Sequence, residues 1–425
     1  MGWNSWDAYA ITIDEAQFKA NAAVLASLRQ YGWQYAVIDA AWYMQDPFAS
    51  GPKDPKPVWN ANGLLLPAVN RFPSAADGAG FKALADWAHA QGLKFGFHIM
   101  HGMLRQIAKE NLPIAGSSFH TADAADPSDS CSWASDYISV RDNAAGRAYY
   151  DSMFKLYASW GIDFVKVDCI AARPSYRPTE IRQIASAIKK SGRAILLSLS
   201  PGETSLEDAA VLGKYGQMWR ITADHWDYWR NEKHPGEYPS GILDAFDRLA
   251  KWAQYAKPGN WPDPDILPWG SLTPVPGEGE PRQSRETKDE QITEFTLVAI
   301  SRSPLMLGTN LTKLDPLTRE LITNKEVLAI GQNAVRAGQT KEDENDPLSP
   351  RYWWAVTRDP GAKHYLAIFN VSDKARDFDV PWTSFHLTRA KYAVYDMWNN
   401  KQLFAARILH AGVIPPHGCA LYRVQ

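Results

Sequence analysis

The sequence lacks three features that would place the protein in a particular class. Its 425 residues include three cysteines, Cys131, Cys169 and Cys419, which are too few for a disulfide framework and lack the spacing of a zinc site. Its 45 basic and 47 acidic side chains give a formal net charge of -2 without long runs of one sign, which argues against nucleic-acid binding. Apolar runs such as "AILLSLS" are too short to cross a bilayer, so membrane insertion is not expected.

The beginning of the sequence bears on the cellular compartment. A structured motif, "MGWNSWDAY", starts at residue 1 with no lead-in. We therefore expect that a signal segment is missing from this numbering and that the protein is secreted or periplasmic. Within such a compartment, one disulfide bridge between Cys131 and Cys169 is possible.

Residues 1 to about 310 repeat a short apolar strand, a polar loop and an amphipathic helix. The segment "TIDEAQFKANAAVLASLRQYG" predicts a helix with a capping box from Thr12 to Glu15 and an end at Gly32, followed by the strand "YAVID". Strands separated by helices imply a parallel sheet, and roughly eight such units fit a closed (β/α)8 TIM barrel. A doubly wound open sheet is the alternative.

The pattern changes in the last quarter of the chain. Strand-like segments such as "RYWWAVTR", "HYLAIFNVS" and "KYAVYDMW" follow one another there without a helical pattern between them. This predicts an antiparallel β-sandwich. We therefore expect a catalytic α/β barrel over residues 1–328 and a sandwich domain over residues 329–425.

Polar residues interrupt the apolar strands of the predicted barrel near their C-terminal ends, where barrel enzymes carry their active sites. These residues are Asp39, His98, Lys166, Asp168, Ser200, Arg220, Asp224 and Asp265. In the strand "FVKVDC", Lys166 and Asp168 are two positions apart and share one face. One interpretation is a structural ion pair that closes the barrel, but the repetition at other strand ends favours a site.

Two carboxylates that face one pocket are typical of glycoside hydrolysis, where one attacks or activates water and the other protonates the departing oxygen. The 18 tryptophans agree with a sugar ligand, since flat apolar rings suit the C–H face of a sugar. Those beside the polar residues are Trp3, Trp6, Trp42, Trp219, Trp226 and Trp261. Each of them, taken singly, is better explained by core packing.

A metal-dependent barrel hydrolase is a competing hypothesis. His98 and His101 in "HIMHG" could form a ligand pair, but strand residues three apart point to opposite faces unless His101 already lies in the loop. The other polar residues are spread out. We therefore expect no metal and no organic cofactor.

Seven motifs occur in an order that resembles glycoside hydrolase family 27, the α-galactosidases and α-N-acetylgalactosaminidases. They are "MGWNSWD", "VIDAAWY", "GLKFGFHI", "DFVKVDC", "MWRITADHWD", "WPDPDIL" and "SRSPLMLG". The resemblance implies an exo-acting retaining hydrolase that releases terminal α-D-galactose-like residues from a carbohydrate substrate. It implies Asp168 as nucleophile and Asp224 as general acid/base, with their carboxyl groups about 5 to 5.5 Å apart.

The resemblance also implies the substrate-binding residues. Lys166 would bind the O3 and O4 hydroxyls and keep Asp168 ionised, whereas Asp224 would begin protonated. Arg220 would bind the O2 substituent and Asp39 the O4/O6 side. The remaining residues expected in the pocket are Trp6, which would stack near the ring, Trp42, His98, Ser200 and Asp265, for which the resemblance implies a more structural role.

Three departures from the family pattern affect the expected substrate. Ala40 replaces the second of two adjacent aspartates that contact the O4/O6 side, and His98 replaces a tyrosine. Ser200 lies where a small residue would admit a 2-acetamido group. The α-D-galactoside is the leading expectation, and the alternatives are β-L-arabinopyranoside, which lacks C6, and α-N-acetylgalactosaminide. A carbohydrate-binding protein without catalysis is less consistent with two retained carboxylates, Asp168 and Asp224.

Overall fold

The computed structural model describes residues 1–47, 56–232, 238–273, 280–358, 361–405 and 407–425. They divide into two units. Unit 1 consists of Met1–Arg220, Gly270–Gln283 and Met306–Leu314, and unit 2 consists of Ile221–Trp269, Ser284–Leu305 and Asp315–Gln425. The predicted domain boundary after residue 328 stays a prediction.

A parallel sheet forms the centre of unit 1. Its strands are Gly2–Asn4 (β1), Tyr35–Ile38 (β2), Lys94–Met100 (β3), Phe164–Asp168 (β4), Leu196–Leu199 (β5), Met218–Arg220 (β6) and Met306–Leu307 (β8). Unit 2 contains the short strand Trp261–Asp263 (β7). From β1 to β6, each strand pairs in parallel with the next. The last strand, β8, pairs in parallel with the first. This return confirms the barrel and excludes the doubly wound sheet.

Helices alternate with these strands. The α-helices of unit 1 are Trp6–Tyr9, Glu15–Ser27, Lys82–Ala90, Arg105–Glu110, Thr121–Ala124, Ala144–Trp160, Pro178–Lys190 and Ala209–Tyr215. The predicted capping box at Thr12 is wrong, because the first long helix begins at Glu15 with Asp14 as its N-cap. The Asp14 side chain accepts from the Gln17 N–H, and the Gln17 side chain accepts from the Asp14 N–H.

Close backbone packing aligns β3 with β4. A Cβ atom at Gly96 would lie 2.6 Å from the Phe164 carbonyl oxygen, so only glycine lets the two strands pair here. The pairing places His98 opposite Lys166 and Met100 opposite Asp168. The register thus brings the polar ends of two strands together.

Small antiparallel sheets complete unit 1. Tyr137–Val140 pairs with both Met103–Leu104 and Ala125–Ser130, and Ser271–Leu272 pairs with Arg282–Gln283. The Cys131–Cys169 disulfide forms, with a Cα–Cα distance of 5.9 Å. It joins the segment after Ala125–Ser130 to the residue that follows β4.

Unit 2 contains an antiparallel sandwich. Its larger sheet has the strand order Ala334–Lys341 (β9), Arg351–Thr357 (β10), His364–Phe369 (β11), Cys419–Val424 (β16), Tyr392–Asp396 (β13) and Lys401–Ala405 (β14), and the smaller sheet pairs Arg376–Pro381 (β12) with Ile408–Ile414 (β15). Buried Leu366 and Ile368 of the larger sheet share one core with Phe378 and Val380 of the smaller. The predicted sandwich is confirmed.

The α-helices of unit 2 are Ile242–Trp252, Lys288–Ile300, Pro316–Ile322 and Lys325–Asn333. Over the ranges that the structure describes, none of the helices combines the length and the apolar character needed to span a membrane.

Candidate active site

The end of β4 carries two charged side chains on one face. The side chain of Lys166 is 14% exposed and that of Asp168 is 20% exposed, whereas Val165 and Val167 are fully buried. This is the alternation that the sequence predicts for a strand. A substrate in solution can therefore reach both charged groups.

The Asp168 carboxylate is held by two donors. Its Oδ2 lies 3.1 Å from His98 Nε2, and its Oδ1 accepts a hydrogen bond of 2.6 Å from the N–H of Cys169. Burial by itself would raise the pKa of this carboxyl, but the hydrogen bond and charge of His98, and then the charge of Lys166, hold the pKa below its ordinary value. Asp168 is thus kept ionised, as a nucleophile must be.

Lys166 makes its ion pair with another carboxylate, that of Asp39 at the end of β2. The Lys166 ammonium lies 3.1 Å from Asp39 Oδ2, which also accepts from Asn4 Nδ2 at 2.7 Å. Asp39 Oδ1 accepts from the Ala40 N–H at 2.8 Å. Burial would raise the pKa of Asp39, but the charges of Lys166 and His98 and these hydrogen bonds lower it to about 2. Asp39 therefore anchors Lys166 beside Asp168.

His98 is supported from the core by Trp42. The indole N–H of Trp42 donates to the His98 carbonyl at 2.7 Å, and its ring lies against Phe97 with centroids 5.0 Å apart. Trp42 is fully buried, so no part of its ring is exposed to contact a sugar as predicted. Its bond and packing instead fix His98, whose Nε2 contacts Asp168.

The other predicted residues of unit 1 lie at neighbouring strand ends. Half-buried Trp6 lies two residues beyond the end of β1, and its backbone N–H donates to Asn4 Oδ1 at 2.8 Å. Ser200 follows β5 and is buried; its carbonyl accepts from the N–H of Ile170 at 3.1 Å, in the loop after β4. Arg220 ends β6 and is buried. Their contacts with a sugar stay predictions.

Asp224 and Asp265 belong to unit 2. The Oδ2 atom of Asp265 accepts from the N–H of His225 at 2.9 Å, and the Asp265 N–H donates to Asp263 Oδ1 at 3.0 Å. Asp265 thus fixes the residue that follows Asp224, and its part in a sugar site stays a prediction. The assignment of Asp224 as partner of Asp168 stays a prediction.

The two histidines considered as metal ligands have different partners. His98 contacts Asp168, whereas His101 lies beyond the end of β3 with its Nδ1 atom 3.3 Å from Glu180 Oε1. Each ring is thus engaged with its own carboxylate.

One group in the described part of the chain has the spacing of a metal site. Ligand atoms of His225, Glu286 and Glu294, all buried, lie within 4.8 Å of one another. Burial, and then the negative charges of Glu294, Asp227 and Glu290, raise the pKa of Glu286 well above its ordinary value. A protonated Glu286 would be neutral, so this group can be buried without a cation.

Sequence reasoning missed Asn4 and the partner of His98. Asn4 is the polar residue that ends β1. A search for polar residues at strand ends, which identified Asp39 and Asp168, would have identified Asn4 as well. The contact of His98 with Asp168 depends on the register of β3 with β4, for which the sequence offers no signal.

Comparisons with known proteins agree with this arrangement. Residues 143–333 match the family model described as "Alpha galactosidase A", and residues 350–424 match the one described as "Alpha galactosidase C-terminal beta sandwich domain". The α-galactosidase A of Cellvibrio japonicus is 28% identical over 442 residues, covering 100% of this chain and 91% of the relative.

Two solved structures are closer in sequence. A family 27 β-L-arabinopyranosidase from Geobacillus stearothermophilus, in complex with arabinose, is 38% identical with a TM-score of 0.92, covering 100% of this chain and 96% of that one. A Bacillus halodurans protein provisionally named an α-N-acetylgalactosaminidase is 35% identical with a TM-score of 0.84 and the same coverages. The chain therefore belongs to glycoside hydrolase family 27, the melibiase-like family, and is a glycosidase.

Proposed function

We propose that this glycosidase releases terminal β-L-arabinopyranosyl residues with retention of configuration. The observation that carries the proposal is the end of β2, where Ala40 offers no second carboxylate and Asp39 is engaged by Asn4, Lys166 and the backbone. A C6 hydroxyl would lack the carboxylate that the family pattern supplies. β-L-Arabinopyranose has the ring configuration of α-D-galactopyranose without C6. The 38% identity to a β-L-arabinopyranosidase supports the same choice.

The proposed reaction is a double displacement. The Asp168 carboxylate attacks the anomeric carbon while the bond to the leaving oxygen breaks and Asp224 gives that oxygen its proton. A water molecule then gives a proton to the Asp224 carboxylate and attacks the anomeric carbon, and the bond to Asp168 breaks. Asp168 and Asp224 return to their starting protonation states.

The contacts of unit 1 prepare Asp168 for the first step. His98 and the Cys169 N–H hold the carboxylate from two sides, so its orientation is fixed before substrate binds. Lys166, anchored by Asp39, places a positive charge beside it and would donate to ring hydroxyls. Arg220 would bind the 2-hydroxyl, Trp6 would stack on the ring, and Ser200 leaves the 2-position roomy.

An α-D-galactosidase is the second candidate. The α-galactosidase relative from Cellvibrio japonicus favours it, because its similarity spans the whole chain at 28% identity. An α-N-acetylgalactosaminidase is favoured by the small side chain of Ser200 and the 35% identical Bacillus halodurans protein.

Initial rates on three 4-nitrophenyl glycosides test the proposal. We expect the highest kcat/KM on the β-L-arabinopyranoside and a product that first appears with the substrate's anomeric configuration. In Ala40→Asp, the ratio of α-D-galactoside to β-L-arabinopyranoside kcat/KM should rise about 10-fold, since the C6 hydroxyl of galactose can again donate a hydrogen bond to a carboxylate. Preference for α-D-galactoside in the unmodified enzyme would contradict the proposed substrate, and an inverted product would contradict the mechanism.

A secreted or periplasmic location stays a proposal. The Cys131–Cys169 disulfide supports it, because disulfides persist in oxidising compartments. Reaction with a thiol reagent after denaturation should give one thiol per chain, that of Cys419, if the bridge forms in the native compartment.

A further inference from the structure

Arg177 lies at the N-terminal end of the helix Pro178–Lys190, nine positions beyond the last residue of β4, and its side chain is only 8% exposed. A guanidinium group has five N–H donors. In this case acceptors lie within hydrogen-bond distance of all three nitrogens, on three separate segments of unit 1. Such a buried group acts as a connector as well as a charge.

The first segment is the loop that follows β4. Arg177 Nη1 donates to the carbonyl of Cys169 at 2.7 Å and to that of Ser175 at 2.8 Å. The Arg177 N–H also donates to the carbonyl of Ile170 at 3.0 Å. The side chain therefore closes the loop onto the residue that directly follows Asp168.

The other two segments are the paired antiparallel strands Ala125–Ser130 and Tyr137–Val140. Arg177 Nη2 donates to Asp129 Oδ1 at 2.6 Å and to the Ser130 carbonyl at 2.9 Å. Nε donates to Asp129 Oδ2 at 3.0 Å and to Ser139 Oγ at 2.9 Å. The guanidinium thus connects residues 129–130 with Cys169, and the disulfide connects Cys131 with the same Cys169.

Cys169 is the residue whose position matters for Asp168. Its N–H donates to Asp168 Oδ1 at 2.6 Å, and its φ is 57°, in the left-handed region that a non-glycine residue rarely adopts. Surrounding contacts must hold such a conformation in place. The carbonyl of Cys169 is held by Arg177 and its sulfur by Cys131, so two side-chain ties fix the residue whose N–H contacts the carboxylate.

We propose that Arg177 is a positioning residue for the nucleophile Asp168. It acts by holding Cys169 in place, in parallel with the Cys131–Cys169 disulfide. The inference rests on the proposed role of Asp168. Lysine cannot replace this arginine, because an ammonium has three donors in tetrahedral directions instead of a planar fork. Loss of the fork leaves the disulfide as the remaining side-chain tie of Cys169, beside the backbone hydrogen bond from the Ile170 N–H to the Ser200 carbonyl, and the Cys169 N–H then moves relative to Asp168.

The test compares Arg177→Lys with Arg193→Lys. Arg193 is a matched control at the opposite end of β4, where it donates to the carbonyls of Ile162 and Gly161 and to Asp163 Oδ1. Both variants keep the positive charge and lose a planar guanidinium that donates to backbone carbonyls. Circular dichroism and thermal unfolding would establish that each variant folds.

The decisive measurement is the pH profile of kcat/KM. The titratable groups acting on Asp168 are His98 on β3 and Lys166 on β4, with Asp39 on β2 beyond Lys166, and none of them is changed. In Arg177→Lys the acid limb should move to higher pH by about half a unit or more, because the carboxylate loses part of its hydrogen bond from Cys169. kcat/KM should fall about 10-fold, an effect of misplaced geometry. Arg193→Lys should leave the acid limb in place.

Cutting the second tie gives an independent readout. Cys131→Ala opens the disulfide without changing residue 169, and the double variant with Arg177→Lys should lose more activity than the product of the two single losses. The proposal is wrong if Arg177→Lys folds, loses as much stability as Arg193→Lys does, and keeps the original acid limb. It is also wrong if the activity loss of the double variant equals the product of the two single losses. Full turnover in Asp168→Asn would instead overturn the proposed function.

Discussion

The ends of β2 and β4 each carry an aspartate that accepts the N–H of the next residue, and the two aspartates differ in exposure and in hydrogen-bond partners. The side chain of Asp39 is 3% exposed and is surrounded by Asn4, Lys166 and Ala40. The side chain of Asp168 is 20% exposed and contacts His98 and Cys169. The same local motif therefore produces an inaccessible anchor in one strand and an accessible carboxylate in the other.

The difference shows how a barrel assigns separate tasks to two similar groups. Asp39 gives Lys166 a buried counter-charge, so the lysine stays beside Asp168. Asp168 instead has a histidine partner, which holds it in place and leaves part of the carboxylate accessible. Reactivity then depends on exposure and partner as well as on residue type.

Asp168→Asn should cause the largest loss of activity. Without a carboxylate nucleophile the covalent step cannot occur, so kcat should fall by at least about 10⁴-fold. Steady-state kinetics on the preferred 4-nitrophenyl glycoside measures the change. A residual rate close to that of the unmodified enzyme would show that the comparison assigns the wrong carboxylate.

Asp39→Asn should have a smaller but large effect. The amide keeps the shape of the side chain and removes the counter-charge of Lys166, so the ammonium should shift towards Asp168. Breaking one side of a buried charge pair should lower kcat/KM about 100-fold. The comparison fails if Asp39→Asn is as inactive as Asp168→Asn at saturating substrate.

His98→Phe should remove the histidine partner that distinguishes Asp168 from Asp39. Removing the hydrogen bond and charge of His98 takes away the largest influence that lowers the pKa of Asp168, so the acid limb of kcat/KM should move to higher pH by about one unit. Turnover at neutral pH should fall about 10-fold. His98→Gln, which can still donate a hydrogen bond, is the control and should shift less. Unchanged acid limbs in both variants would contradict the role of His98.

Acid unfolding should show the smallest of these effects. The pKa of Asp39 is about 2 in the folded protein, below the value of about 3.9 in an unfolded chain, so its contribution is present above pH 3.9 and is lost as the pH falls towards 2. The free energy of unfolding should therefore lose about 2 kcal/mol over this interval. Urea titrations at several pH values should show a weaker loss in Asp39→Asn, and an identical loss would contradict the shifted pKa.

Much of the fold could be read from the sequence. The alternation of strand and helix predicts the barrel, and the spacing of Lys166 and Asp168 predicts their shared face, because both depend on local periodicity. The contact between His98 and Asp168 depends on the register of two strands, which Gly96 and Phe164 settle only in the folded sheet. Local patterns do not contain such long-range contacts.

The same limit applies to Arg177. The sequence places it just before a helix, which suggests an ordinary helix end. Its contacts reach 48 positions back to Asp129 and 8 positions back to Cys169, across segments that the barrel brings together. Its role could therefore not be predicted from the residues around it.

The central claim is that Asp168, and not Asp39, forms the covalent bond to the sugar. A fluorinated glycoside of the preferred sugar with an activated leaving group should form a glycosyl-enzyme that water breaks slowly, and peptide mass spectrometry would locate it. The account predicts a label on the peptide containing Asp168 and no label on the Asp39 peptide. A label on Asp39 or on another carboxylate would contradict it.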